Sequence, residues 1–177
     1  MIVVGIDPGF ARMGVAVLEG SFSTPEITTL DLWETEPEKD AVSKADDHSR
    51  RLAFYAQRVE DLMQRWPDAV AIEVQQLPVG RIQISTVMNL GRVRGIFDAL
   101  TARGVPVMDQ QPTNVKKWIT ADRFASKEAI EAALIARHPM LTQALQKWPK
   151  SKREHLTDAV AVATVAWMKL QNPNREG

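Results

Sequence analysis

The first apolar run of the chain is unbroken and ends in a carboxylate. Residues 1–6 are uncharged and mostly branched or apolar, Asp7 follows them, and Pro8-Gly9 then turns the chain. An apolar run that ends at a turn is typical of a strand buried on both faces. A carboxylate at the end of such a strand can hold a metal at the rim of a sheet. Asp-Pro-Gly is also ordinary turn chemistry, and this stretch alone leaves both interpretations open.

Two more strand-like segments follow with short connections. Residues 13–18 are apolar and residues 26–33 alternate, with a turn predicted at 20–25. Three sequential strands joined in this way predict an antiparallel meander. Residues 34–43 are acidic and contain Pro37, which predicts a loop and the best candidate for a mobile segment.

A helical pattern then separates the first strand from one with the same design. Apolar residues recur at helical spacing over 46–66, where Pro67 ends the helix, and the run at 69–73 closes on Glu73. Strand, crossover helix and strand form a βαβ unit, so the new strand is expected to lie parallel to the first. Asp7 and Glu73 would then meet at one sheet edge, although Glu73 taken alone could equally face solvent.

After a loop predicted at 75–81, the next helix is predicted over residues 81–100 and carries two glycines one turn apart. Its spacing predicts a buried side that includes Val87 and Phe97, while Gly91 and Gly95 permit close approach by another element. That element is either the sheet or the same helix of a second subunit.

The rest of the chain supplies a last strand and a set of helices. Residues 105–108 form the predicted strand, and Ser126 caps a helix that ends at His138-Pro139. A basic loop is predicted at 149–153, followed by a helix over 154–170. The predicted class is therefore α/β, with a five-stranded mixed sheet of three antiparallel strands followed by parallel strands, flanked by helices.

The last helix carries two further polar side chains near its start. His155 and Asp158 are three residues apart and share one helical face. If that face packs on the sheet, three carboxylates and an imidazole meet, namely Asp7, Glu73, Asp158 and His155. Such a site suits Mg²⁺ or Mn²⁺, and carboxylates that bridge two ions about 3.5–4 Å apart recur in phosphodiester cleavage. Taken singly, His155 could be a hydrogen-bonded core histidine and Asp158 a complement to the helix dipole.

Length and composition narrow the class of protein. The 177 residues, 45% hydrophobic and 25% charged, predict one globular domain over 1–170 with a polar tail at 171–177. The absence of cysteine excludes disulfides, thiolate chemistry and cysteine zinc sites. No apolar run approaches the length of a membrane span, and a cytoplasmic location is expected.

Charge is distributed unevenly although the net charge is zero. Residues 19–73 hold 13 acidic and 6 basic side chains, whereas residues 74–155 hold 13 basic and 6 acidic ones. This asymmetry favours a polyanionic partner for the second half, and two oppositely charged solvated faces would look the same.

Five motifs together resemble the RuvC-type Holliday junction resolvases. They are Gly5-Ile-Asp-Pro-Gly9, Ala71-Ile-Glu73, Leu90-Gly-Arg-Val-Arg-Gly95, Val115-Lys-Lys-Trp-Ile119 with Ser126-Lys127, and His155-Leu-Thr-Asp-Ala-Val-Ala161. The resemblance runs in order from about residue 2 to residue 168. It implies a ribonuclease H-like fold and a homodimer that nicks two symmetric strands of four-way DNA with a divalent metal.

The resemblance also implies roles for particular residues. Asp7, Glu73, His155 and Asp158 match the catalytic and metal-binding set. Lys116 and Lys127 match basic residues near the scissile phosphate and the DNA backbone. The further candidates for phosphate contacts are Arg92, Arg94, Lys117, Lys150, Lys152 and Arg153.

Two features depart from the family pattern. Residues 74–78 contain no aromatic side chain where family members often carry one that stacks on junction bases, and the acidic loop at 34–47 is long. Both departures are compatible with a divergent or phage-type member of the family.

Three other functions compete with a resolvase. A ribonuclease H-like nuclease for flaps, branched DNA or RNA–DNA hybrids would use the same active-site residues. An ATP-binding domain of the actin type would normally need a longer chain, and a catalytically silent junction-binding module would not need the whole acidic set. The sequence does not indicate a branch-migration helicase partner, and a free-standing resolvase is the simpler assumption.

Overall fold

Five strands build the central sheet of this protein, whose computed structural model describes residues 1–74 and 84–173. The strands are β1 (Ile2–Asp7), β2 (Arg12–Ser21), β3 (Thr24–Glu34), β4 (Ala69–Glu73) and β5 (Val107–Gln110). Their spatial order is β3-β2-β1-β4-β5. β1 pairs antiparallel with β2 and β2 with β3, whereas β1 pairs parallel with β4 and β4 with β5. The predicted mixed sheet is confirmed.

Helices cover both faces of this sheet. They are α1 (Lys44–Met63), α2 (Ile84–Thr101), α3 (Pro112–Thr120), α4 (Lys127–Arg137), α5 (Leu141–Gln146) and α6 (Lys150–Gln171). The predicted loop after Glu73 and the predicted start of the second helix at residue 81 lie outside the described residues. In the part of the chain that is described, no helix is long and apolar enough to cross a membrane.

Alternation along β1 divides the core into two layers. Val3 belongs to the cluster formed with α6, whereas Val4 and Ile6 belong to the cluster formed with α1 and α2. Successive side chains of a strand point to opposite faces, so the strand is buried on both. This explains why the first stretch of sequence is continuously apolar.

The predicted basic loop at 149–153 is wrong, because those residues begin α6. The helix starts at Lys150 and not at 154, with Pro149 at the N-cap position. Proline is well tolerated at a helix start, where its missing N–H would have no helical partner. His155 and Asp158 therefore lie in the second and third turns of the helix.

Two other expectations about packing are corrected. Val87 was predicted to be buried but is 41% exposed, and a Cβ placed on Gly91 or Gly95 would meet nothing within 4 Å. The sheet is therefore not the element that approaches these two glycines. The last strand begins at Val107 instead of 105, and the short helix α5 was not predicted.

Candidate active site

Asp7 and Glu73 end two neighbouring parallel strands. Ile6 pairs with Ile72 in the register of β1 and β4, so the next residues of both strands emerge side by side. Asp158 reaches the same place from α6. One carboxylate oxygen from each of the three side chains lies within 4.8 Å of the others. The predicted convergence of Asp7, Glu73 and Asp158 is therefore present.

Two glycines let α6 lie directly on the strands. A Cβ on Gly14 of β2 would lie 2.0 Å from the backbone oxygen of His155, and one on Gly5 of β1 would lie 2.1 Å from that of Ala159. Real side chains do not tolerate such distances, so only glycine permits this approach. The two contacts set the height of the helix above the sheet and bring Asp158 to the strand ends.

His155 contacts Asp7 directly. Its Nδ1 lies 2.6 Å from Asp7 Oδ2, and the imidazole is partly exposed while the carboxylate is buried. This hydrogen bond raises the pKa of His155 above its ordinary value of 6.5. Among the described residues, the group with mutually close ligand atoms consists of the three carboxylates, and His155 lies beside it as a partner of Asp7.

Burial and neighbouring carboxylates raise the proton affinity of Glu73 and Asp158. Burial, followed by repulsion from Asp158 and Asp7, raises the pKa of Glu73 to about 8. Burial, followed by repulsion from Asp7 and Glu154, raises the pKa of Asp158 to about 7. Like charges in a buried site cannot all ionise unless a cation compensates them. Three converging carboxylates of this kind could hold a divalent metal, and oxygen-only ligands fit a hard cation.

A cavity of mixed charge adjoins the acidic cluster. It has a volume of about 220 Å³ and reaches Asp158 on one side. Its lining includes the cationic side chains Lys127, Lys150 and Arg153 together with the acidic side chains Glu131 and Glu154. Lys127 forms an ion pair with Glu154, whose hydrogen bond raises the pKa of that lysine above its ordinary value. Arg153 donates from Nε to the backbone oxygen of Trp148, 2.9 Å away. Three of the predicted phosphate-binding side chains thus lie together next to the carboxylates.

Three further lysines predicted to contact phosphate are not among the residues that line this cavity. Lys152 forms an ion pair with Glu34 at the end of β3. Lys116 is half-buried and Lys117 is exposed on α3, a helix that packs against α4 and α6.

Arg92 and Arg94 are both engaged within the chain. Arg92 Nη1 lies 2.7 Å from His48 Nδ1 on α1. Arg94 contacts Asp98 at 2.6 Å and Asp109 at 2.5 Å. These two arginines belong to α2 and are not among the residues that line the cavity beside Asp158.

Two features of the site were missed from the sequence. Gly14 stands inside an apolar strand, a position that often marks close backbone approach, so a signal was present. Glu154 was counted only as the first residue of a helix, and its pairing with Lys127 depends on how α4 and α6 meet. No sequence pattern shows that contact.

The sequence and structure of this chain match known proteins over nearly its whole length. The pattern of the family named crossover junction endodeoxyribonuclease RuvC matches residues 3–166. The crossover junction endodeoxyribonuclease RuvC of Porphyromonas gingivalis is 28% identical over 174 residues, which cover 97% of this chain and 84% of that protein. The protein of the same name from a Nocardioides species is 31% identical over 165 residues, which cover 92% and 84%.

A solved structure supports the same assignment. The structure of Thermus thermophilus RuvC in complex with Holliday junction substrate superimposes with a TM-score of 0.73, at 25% identity and with 97% of each chain covered. The likeness confirms the predicted ribonuclease H-like fold. The matched residues 3–166 include all three clustered carboxylates and His155. The chain therefore belongs to the crossover junction endodeoxyribonuclease RuvC family.

Proposed function

We propose that this protein is a nuclease that resolves four-way DNA junctions by metal-dependent hydrolysis of paired, symmetric phosphodiester bonds. The observation that carries the proposal is the convergence of Asp7, Glu73 and Asp158 in a chain that matches the family throughout. The substrate class follows from the family, because the active-site chemistry is shared with other ribonuclease H-like nucleases.

Asp7, Glu73 and Asp158 are the proposed metal ligands. Their oxygen chemistry fits Mg²⁺ or Mn²⁺. Two ions are proposed because carboxylates that bridge two such ions recur in phosphodiester cleavage. Two such ions would activate a water molecule and neutralise charge on the leaving 3′ oxygen. Because the pKa values of Glu73 and Asp158 are raised, these two acids would give up protons when a cation binds.

His155 is proposed to share a proton with Asp7. The 2.6 Å contact supports this role. The hydrogen bond to the Asp7 carboxylate fixes the orientation of the imidazole, which can accept or return a proton. Binding of a cation to Asp7 would compete with that hydrogen bond. His155 would then be available as a further ligand or for proton transfer near the reacting phosphate.

The basic side chains are proposed to grip the DNA backbone. Lys127, Lys150 and Arg153 line the cavity next to Asp158, which supports contacts to phosphates flanking the cleaved bond. Lys116, Lys117 and Lys152 would extend this surface. Arg92 and Arg94 would first have to leave their partners within the chain.

A homodimer is proposed to form through α2. Ile84 is 78% exposed, Val87 41% and Met88 53%, and open space lies above Gly91 and Gly95 on the same helix. Exposed apolar side chains next to glycines are suited to close helix packing between subunits. Two subunits would supply the two active sites that paired nicks require.

A cleavage assay with four substrates tests the substrate class. A synthetic four-way junction, a linear duplex, a flap and an RNA–DNA hybrid would be incubated in parallel with Mg²⁺ or Mn²⁺. We expect cleavage of the junction at symmetric positions and at least 100-fold slower cleavage of the others. Equal cleavage of the flap or the hybrid would assign the protein to a broader nuclease class, and junction binding without cleavage would leave a binding module.

A further inference from the structure

The turn that follows Asp7 is tied down at one carbonyl group. Between β1 and β2, the backbone oxygen of Phe10 accepts hydrogen bonds from Thr35 Oγ1 at 2.8 Å, Arg51 Nη2 at 3.1 Å and Tyr55 Oη at 3.1 Å. A carbonyl oxygen has two lone pairs, so three donors exceed its usual share. The donors come from the loop after β3 and from two positions one turn apart on α1. The carbonyl is thereby fixed from several directions.

Arg51 is the charged member of this set and is only 5% exposed. Its Nε donates to Thr35 Oγ1 at 2.9 Å, and its guanidinium lies 4.1 Å above the centre of the Phe10 ring. The carboxylate of Asp47 is 3.6 Å away. Burying a guanidinium is costly unless most of its N–H groups donate hydrogen bonds. The Arg51 guanidinium donates to the turn at Phe10 and to the facing loop at Thr35.

The other side of the same turn is fixed as well. The amide of Thr35 donates to the backbone oxygen of Ala11 at 2.9 Å, and a Cβ on Gly9 would lie 2.1 Å from the backbone oxygen of Arg12. The turn therefore has little freedom between its two anchored carbonyls. Asp7 is only three residues before Phe10, so a shift of the turn would move the Asp7 carboxylate.

We propose that Arg51 is a positioning residue that acts through the Phe10 carbonyl to hold Asp7 in the geometry required for metal binding and DNA cleavage. Tyr55 and Thr35 share this task from the neighbouring positions. Errors of about 1 Å in a catalytic group can cost 100-fold in rate, so a rigid anchor next to the first metal ligand has a direct use. The inference rests on the proposed function, because it assigns Arg51 to the same site.

Two variants remove hydrogen bonds to the Phe10 carbonyl, and a third serves as the control. Arg51→Met removes the charged donor and keeps an unbranched apolar side chain of similar reach. Tyr55→Phe removes a single hydroxyl and serves as the mild variant if the first one folds poorly. Arg58→Met is the matched control, because Arg58 lies on the exposed side of the same helix over the ring of Phe54.

The first readout uses metal alone. Calorimetric titration with Mn²⁺ should show at least tenfold weaker binding for Arg51→Met, about threefold weaker binding for Tyr55→Phe and no change for Arg58→Met. A second readout separates positioning from DNA binding: kcat on the junction should fall at least tenfold in Arg51→Met while KM changes less than twofold. A rise in KM as large as the fall in kcat would point to a role in DNA contact and would overturn the proposal.

Amide hydrogen exchange of the metal-free protein supplies a readout that does not depend on activity. Exchange in the segment of residues 8–15 should rise in Arg51→Met and stay at the wild-type level in Arg58→Met. Unchanged exchange there, or wild-type Mn²⁺ affinity in a folded Arg51→Met variant, would overturn the proposal. If the wild-type protein fails to cut any junction, the proposed function fails, whereas increased exchange at 8–15 would still support the anchor.

Discussion

Gly14 and His155 lie in direct backbone contact across two elements that are 141 positions apart in sequence. A methyl group on residue 14 would be 2.0 Å from the His155 oxygen. This contact links the strand beside Asp7 with the helix that carries Asp158. The distance between these two carboxylates therefore depends on residue 14 being a glycine.

Gly14→Ala should push α6 away from the sheet and separate the carboxylates. We expect at least a 100-fold loss of metal-dependent cleavage and a melting temperature lowered by several degrees, because the helix also forms much of one core layer. Calorimetry and single-turnover cleavage would measure both. Gln57→Ala is the control, since Gln57 is exposed on α1 and lies outside both the acidic cluster and the proposed α2 interface, and alanine favours a helix. Full activity in Gly14→Ala would show that the close approach does not set the site.

The metal-free protein should lose stability as the pH rises from about 5 to about 8. Glu73 has a pKa of about 8 in the folded protein against an ordinary value of 4.5, and Asp158 has about 7 against 3.8. Between these values the folded state binds more protons than the unfolded chain, so the free energy of unfolding falls as the pH rises. The raised pKa of His155 acts in the same direction, because its contribution is lost as that group deprotonates.

Thermal melts in EDTA across this pH range measure the effect, and added Mn²⁺ should stabilise the protein more at pH 8 than at pH 6. Glu73→Gln removes one ionising group and should flatten the EDTA profile at the alkaline end. A metal-free protein that becomes more stable between pH 5 and pH 8 would contradict the arrangement of buried, mutually repelling acids.

Lys127→Ala should weaken junction binding and its dependence on salt. Loss of one phosphate contact lowers the slope of log affinity against log salt by about 0.9. Glu154→Gln should have the opposite effect and raise the affinity for the junction by about two- to fivefold. Lys127 is paired with Glu154 in the free protein, and a DNA phosphate has to replace that partner. Fluorescence anisotropy in Ca²⁺ would measure both.

Arg103→Ala is the control for binding, since Arg103 pairs with Glu60 and lies near the opposite ends of the parallel strands. An unchanged salt slope in Lys127→Ala would place the DNA path elsewhere.

Met88→Asp should convert a dimer to a monomer. A carboxylate on the exposed face of α2 cannot be buried against a second copy without a large cost. Sedimentation analysis should show a dimer for the wild type and for the control Phe124→Asp, which alters an exposed aromatic side chain on another surface. A wild-type protein that is monomeric at micromolar concentration would refute the proposed α2 interface.

Particular residues show which parts of the fold local sequence patterns determine. The bounds 69–73 of β4 were predicted correctly, because an apolar run between Pro67 and Glu73 leaves little freedom. The buried side predicted for α2 was correct at Phe97 and wrong at Val87. Helical periodicity cannot distinguish side chains that pack on the sheet from side chains left for a partner.

The site shows the same limit. Asp7, Glu73 and Asp158 were predicted to meet because strand ends and a helix face follow from local patterns. The burial of Arg51 and the pairing of Lys127 with Glu154 were not predicted, since both depend on how distant elements dock. Charge and spacing along the chain predict which residues converge, whereas tertiary packing determines which charged side chains pair with one another.

Paired cleavage of a four-way junction that depends on Asp7 is tested most directly on a supercoiled plasmid that extrudes a cruciform. The wild-type protein is compared with Asp7→Asn. Paired nicks across a four-way junction convert such a plasmid to a linear form, whereas a single nick yields an open circle. With Mg²⁺ or Mn²⁺, the wild type is expected to give linear product with symmetric ends, and Asp7→Asn should leave the plasmid supercoiled. Open circles from the wild type would contradict paired cleavage of the junction. Linear product from Asp7→Asn at the wild-type rate would contradict the proposed role of Asp7.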